Sequence, residues 1–157
     1  DYGVDAKRDV ESNVVTPAVE KIVEANVLLS GLGFESGGLA TAHMIGNLLS
    51  NVPECQEKNL MHGEKVAFGI ATQLCLEDDI DVEEKLVIID FMIQIGLPVT
   101  FAELNLAGIT RERLFEIGNV CAGEGSLCHN HAFPITAADV VDAMISADAF
   151  GKARQGG

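Results

Sequence analysis

Apolar residues recur along this chain at helical spacing and almost nowhere in strict alternation, so the pattern predicts helices and no strand. Val19, Ile22, Val23, Val27 and Leu28 share one face of a helix that Thr16 caps and Pro17 begins. Gly31 and Gly33 read as its end or a kink. From Gly38 to Leu49 the small residues Ala40, Thr41 and Ala42 lead into Met44, Ile45, Leu48 and Leu49, the pattern of a buried helix with close backbone approach. Asn51 to Leu60 reads as a polar loop around Pro53. His62-Gly63-Glu64 then opens a helix carrying Val66, Phe68, Ile70, Leu74 and Leu76.

Asp81, followed by Glu83 and Glu84, caps the next helix. It points Leu86, Ile89, Phe91, Met92 and Ile93 inward and stops at Gly96, with Pro98 just beyond. Thr110 caps a helix through Leu114, Ile117 and Val120, which Gly123 and Gly125 interrupt. Thr136-Ala137-Ala138-Asp139 caps the last helix, with Val140, Val141, Met144 and Ile145 inward. Asp1 to Asn13 reads as a charged helical tail, and the polar residues after Phe150 as a frayed end. There is no internal repeat and no low-complexity tract. The expectation is an all-α fold in one domain over residues 1–157, a length that buries roughly two-thirds of the unfolded surface. The chain opens at Asp1, in what reads as mid-helix, and is expected to be a piece of something longer.

Composition narrows the partners. With 48% apolar but only 5% aromatic residues and no Trp, the core must rest on aliphatic side chains. Ten Lys and Arg face 24 Asp and Glu, a formal charge of -14, which argues against nucleic acid or an anionic membrane as partner. No apolar run reaches ~18 residues and no signal-peptide pattern is present, so a soluble, cytoplasmic chain is expected. Cys55, Cys75, Cys121 and Cys128 show no C-x-x-C pairing and read as small buried hydrophobes in a reducing compartment, not as disulfide partners.

Candidate chemistry centres on the stretch from Gly37 to Gly69, which holds His43 within one helix and His62 at the start of the next. Two imidazoles joined by a helix-loop-helix are plausible metal ligands, although their separation exceeds the one or two turns of short zinc motifs. A lone His in an apolar helix is more often a hydrogen-bonded core residue. Position favours His62 as a ligand, because a helix N-terminus disfavours positive charge and a metal takes neutral imidazole. Cys55 in the intervening loop is a weaker addition. His129 and His131 form a second group, but adjacent loop histidines usually face solvent, and His131 is read that way. Glu35, Glu64 and Lys65 read as end-caps or surface charges. The glycines of Gly31-Leu32-Gly33-Phe34-Glu35-Ser36-Gly37 are one residue too widely spaced for a dinucleotide fingerprint and follow a helix instead of a strand.

The run Gly31 to Ala40, Ala42-His43, and His62-Gly63-Glu64-Lys65-Val66-Ala67-Phe68-Gly69 closely resembles the glycerol dehydrogenases of the metal-dependent (iron-containing) alcohol dehydrogenase family. The likeness extends back to Asn13-Val14-Val15-Thr16-Pro17 and forward to Gly96-Leu97-Pro98 and His129-Asn130. It implies the multi-helix C-terminal domain of the dehydroquinate-synthase-like fold, lacking the α/β NAD-binding domain. It further implies a divalent metal, Zn2+ or Fe2+, held by His43, His62 and an Asp that has no counterpart in these residues. The whole enzyme so implied binds glycerol and NAD, forms a homo-oligomer, and yields dihydroxyacetone by hydride transfer to nicotinamide. Such a chain alone is expected to be inactive. One departure stands out: Gly46 occupies the place of a second family histidine. A glycerol-1-phosphate dehydrogenase on the same scaffold is the sister reading, which the acidic balance disfavours. A metal-free helical interaction module is the alternative outside enzymes.

Overall fold

The computed structural model describes residues 2–156, and among them every regular element is helical. The expected all-α architecture is therefore observed. By contact the chain divides into two compact units, the first ending at Gly38 and the second beginning at Leu39.

The first unit holds α1 (Gly3–Glu11), which packs on α2 (Pro17–Glu24). Asp1, the first residue of the expected helical tail, lies outside the described residues. Thr16 caps α2 as expected, its side chain accepting from Val19 N–H at 3.5 Å, and its hydroxyl donates to Asp9 Oδ2 at 2.6 Å. The helix does not end at Gly31 or Gly33. It widens into a π turn over Ala25–Leu29 and continues as α3 (Ser30–Gly37). Glycine inside a helix costs only about 1 kcal/mol relative to Ala, too little to break it without a proline. The break comes at Gly38, whose φ of 71° lies in the left-handed region that glycine enters without strain. The apolar face read into this helix is not buried: Val23, Val27 and Leu28 are exposed.

The second unit contains α4 (Thr41–Leu49), α5 (Pro53–Glu57), α6 (His62–Leu76), α7 (Val82–Gln94), α8 (Arg111–Cys121), a 3-10 turn (Leu127–Asn130) and α9 (Ala137–Gln155). α4 packs along α6, α6 against α9, and α8 and α7 also rest on α9. Ile45, Leu49, Phe68, Ile89, Leu104, Val140, Val141 and Met144 are sealed from solvent in one core. Phe68 meets Phe101 there with ring centroids 5.3 Å apart. Asp81, Thr110 and Thr136 all cap as expected, accepting from the N–H groups of Glu84, Arg113 and Asp139.

Several expectations require correction. The supposed polar loop contains α5, which Pro53 starts and which buries Cys55 while Val52 just before it is buried too. Ile70, Phe91 and Val120 stand outward because each lies off the side of its helix that meets the core. Residues 151–155 do not fray, since α9 runs on to Gln155, where Gln155 and Arg154 bond Glu103 and Asp90, while Gly157 lies outside the described residues.

Candidate metal centre

The close packing of α4 on α6 fixes where two histidines stand. Gly69 of α6 lies against Ala42 of α4 so tightly that a Cβ would collide with the Ala42 carbonyl. Gly46 of α4 faces Val66 in the same way, with a Cβ falling 2.5 Å from Val66 Cγ2. That contact explains the residue at 46. An imidazole there could not be seated without displacing Val66, and the helix crossing takes the space instead.

His43 projects from the first turn of α4 and is half-buried, whereas His62 begins α6 at the surface. Their ring centroids are 6.3 Å apart and the planes are tilted by 51°. Glu64 sets the start of α6 by accepting from Met61 N–H at 2.6 Å, so the end-cap expected of it is observed. Ser50, at the end of α4, donates its hydroxyl to the Gly46 carbonyl at 2.8 Å and lies 3.4 Å from His62 Nδ1. With the Ser50 hydrogen already committed, Nδ1 is the donor of that pair. This leaves the His62 Nε2 lone pair free to bind a cation.

The start of α4 has no side-chain cap of its own at Ala40. A polar network from elsewhere in the second unit serves it. Gln73 accepts from Ala42 N–H at 3.0 Å and donates to Glu77 at 3.1 Å. Glu77 lies 3.8 Å from His131 Nδ1, and His131 Nε2 meets Thr41 Oγ1 at 3.0 Å. His131 is thus not solvent-facing, for its side chain is only 6% exposed. Sequence reasoning missed it because Thr41 and His131 are 90 positions apart and no local pattern joins them. His129 is exposed and reaches the Gly123 carbonyl instead.

Cys55 is not part of the histidine cluster. Its thiol donates to the Leu104 carbonyl at 3.2 Å, and burial pushes it up to about 11, against the opposing charge of Lys65. Lys65 is itself buried, which corrects its reading as a surface charge. Among the described residues no group of three or more His, Cys, Asp or Glu side chains forms a metal cage. Clefts of about 430 and 320 Å³ lie elsewhere in the second unit, and neither is lined by His43 or His62. The chemistry of imidazole donors, and not cavity size, marks the candidate site.

Over 157 residues the chain is 48% identical to the glycerol dehydrogenase of Thermotoga maritima, a match covering 99% of this chain. Along its whole length the chain is similar to glycerol dehydrogenases. It spans about two-fifths of the length of the curated relatives it matches, 42% in that case. A glycolaldehyde reductase of Halobacterium salinarum is 40% identical over 154 residues, covering 97% of this chain and 41% of that protein. The fold agrees: the crystal structure of glycerol dehydrogenase from Schizosaccharomyces pombe superposes with a TM-score of 0.89 at 36% identity, over 99% of this chain and 39% of that one. No protein-family model matches the chain. No described helix is long and apolar enough to cross a membrane.

Proposed function

We propose that this chain is the helical, metal- and substrate-binding part of an NAD-dependent glycerol dehydrogenase that oxidises glycerol to dihydroxyacetone. His43 and His62 are two protein ligands of a divalent ion, zinc or iron(II), and an Asp outside these residues is the third. The observation that carries this reading is the facing of two imidazoles, 6.3 Å between centroids, in a chain 48% identical to a named glycerol dehydrogenase.

The residues fit such an ion. With nitrogen about 2.0–2.1 Å from a tetrahedral zinc, two imidazole centroids stand about 5 Å apart, so the pair needs to close by about 1 Å. A side-chain rotation of exposed His62 supplies that. Imidazole nitrogen also suits both metals. The ion's contribution when bound is Lewis acidity, which lowers the pKa of a substrate hydroxyl. The chain's own contribution is positional. The α4–α6 crossing sets the spacing of the two rings, Ser50 holds His62 with Nε2 free, and the Gln73–Glu77–His131–Thr41 network steadies the turn that bears His43. NAD binds outside these residues, and the assembled enzyme is a cytoplasmic homo-oligomer.

Zinc titration of the protein in its natural length tests the ligands. A His43→Ala, His62→Ala double variant is expected to lose at least about tenfold in affinity, as even the loss of residues that merely orient metal ligands costs 10–100-fold. Unchanged affinity sinks the assignment. The isolated chain is expected to reduce no NAD with glycerol. A second reading, reduction of a small hydroxyaldehyde, is favoured by the likeness to the glycolaldehyde reductase. Comparing kcat/KM for glycerol oxidation with that for glycolaldehyde reduction separates the two.

A further inference from the structure

Cys121 closes α8 and Cys128 lies in the 3-10 turn that follows, and the loop between them brings their sulfurs to 2.7 Å. Ser126 holds the loop in this shape. Its hydroxyl donates to the Cys121 carbonyl and accepts from Cys128 N–H at 3.2 Å. His129 ties the loop again through the Gly123 carbonyl at 3.0 Å. Both thiols are free and both are fully buried. Closing the remaining gap to a disulfide bond of about 2.05 Å takes a sulfur movement of about 0.7 Å, within reach of side-chain rotation.

The two sulfurs are not equivalent. Cys121 and Cys128 share one sulfur–sulfur contact in which either thiol can donate, and Cys128 alone also receives a hydrogen bond from the Thr41 hydroxyl at 3.4 Å. The contact with Cys121 first, and the Thr41 bond with it, outweigh burial and lower the Cys128 thiol below its usual range, while Cys121 is pushed up by the shared contact and by burial. Cys128 therefore has the thiolate character of a nucleophile, and Cys121 stands beside it as the resolving thiol.

We infer that Cys121 and Cys128 form a reversible oxidation site, which a small peroxide converts to an internal disulfide. Because neither sulfur is exposed, the oxidant class is small and uncharged. The Cys128 thiolate attacks one peroxide oxygen; an S–O bond forms, the O–O bond breaks, and hydroxide leaves to become water on taking up the proton released from Cys128. The Cys121 sulfur then attacks the Cys128 sulfur; the S–S bond forms, the S–O bond breaks, and a second water departs with the Cys121 proton. The two thiols together lose two electrons to the peroxide. A dithiol reverses the step by exchange.

Peptide mapping tests the inference on the protein in its natural length, reduced, desalted, treated with hydrogen peroxide and alkylated under denaturing conditions. The expected product is a peptide pair joined through Cys121 and Cys128, lighter by about 2 Da than the reduced pair, with Cys55 and Cys75 alkylated. Dithiothreitol restores the separate peptides. Closing this short loop is also expected to raise Tm by about 5 °C. Cys75→Ser keeps the cross-link; Cys121→Ser replaces it with a sulfenic or sulfinic acid on Cys128. Full alkylation of both residues after peroxide overturns the inference. So does a cross-link to Cys55 or Cys75, or sulfinic acid on Cys128 in the unsubstituted protein.

Discussion

The residues before Gly38 and those after it use similar aliphatic side chains to opposite ends. In the first unit Val15, Val27, Leu29 and Phe34 are between 59% and 77% exposed, and among the described residues only Ala6 is buried. In the second, Ile45, Leu49, Phe68, Ile89 and Val140 are each 0% exposed. Both units have helical periodicity and both have well-made caps. The difference is that α4, α6 and α9 present their apolar faces to one another. An amphipathic pattern therefore specifies a helix with a face, while burial needs a second face to receive it. The second unit carries its stability in packing, and the first in local bonds.

The largest expected effect tests that division in the core. Phe68→Ala removes a fully buried ring that packs on Phe101, and is expected to cost about 3–5 kcal/mol, read from the urea midpoint at constant slope. A loss under about 1 kcal/mol would show that the second unit is not a close-packed core. Next comes Gly69→Val. Its added atoms meet the Ala42 backbone, which cannot swing aside as a side chain can, and overpacking of this kind costs about 1–3 kcal/mol. Because the same crossing spaces His43 and His62, this variant is also expected to weaken zinc binding in the natural-length protein. Intact affinity would detach the histidine spacing from the helix crossing.

How much of this was readable beforehand depended on the range of the signal. Thr16-Pro17, Asp81, Thr110 and Thr136 announce helix starts because a cap and the N–H group it serves lie within three residues. The start of α6 was equally plain at His62-Gly63-Glu64. Where the deciding contact is distant, local pattern misled. Val27 and Leu28 looked inward, yet periodicity cannot say whether a partner face exists. His131 looked like a loop residue facing solvent, yet Thr41 and Glu77 enclose it from segments far away in sequence. Cys121 and Cys128 looked unpaired because the loop that joins them follows no familiar spacing. Resemblance singled out His43 and His62 as candidate ligands; spacing by itself did not. It did not disclose why position 46 is glycine, which depends on Val66 in the next helix but one.

Capping sharpens the comparison at a smaller scale. In the second unit, Thr136 and Asp139 form a reciprocal box, with Asp139 Oδ2 2.8 Å from Thr136 N–H and 2.6 Å from its hydroxyl. Thr136→Ala is expected to cost about 1 kcal/mol. The hydrogen bond from the Thr136 side chain, with that from its backbone, holds the Asp139 carboxyl below its usual range. A depressed carboxylate stabilises the fold fully above its ordinary pKa and loses that contribution as pH falls through the lower, folded-state value. Thermal unfolding from pH 6 down to pH 2 is therefore expected to show a smaller acid-side loss in Thr136→Ala than in the unsubstituted protein. Parallel curves would mean that the box does not couple to proton binding.

The smallest expected effect is the one that bears most directly on the comparison. Val27 is 76% exposed on the π turn of the first unit, so truncating it removes little apolar surface from any packed contact. Val27→Ala also exchanges a β-branched residue for the best helix former, which favours the helix by a few tenths of a kcal/mol at most. Unfolding of the isolated chain should therefore shift by less than about 0.5 kcal/mol, in either direction, as at ordinary surface sites. A loss of about 2 kcal/mol, the scale of a buried aliphatic side chain, would mean that this face is covered in solution. The first unit would then be held by packing after all, and its contrast with the second would disappear.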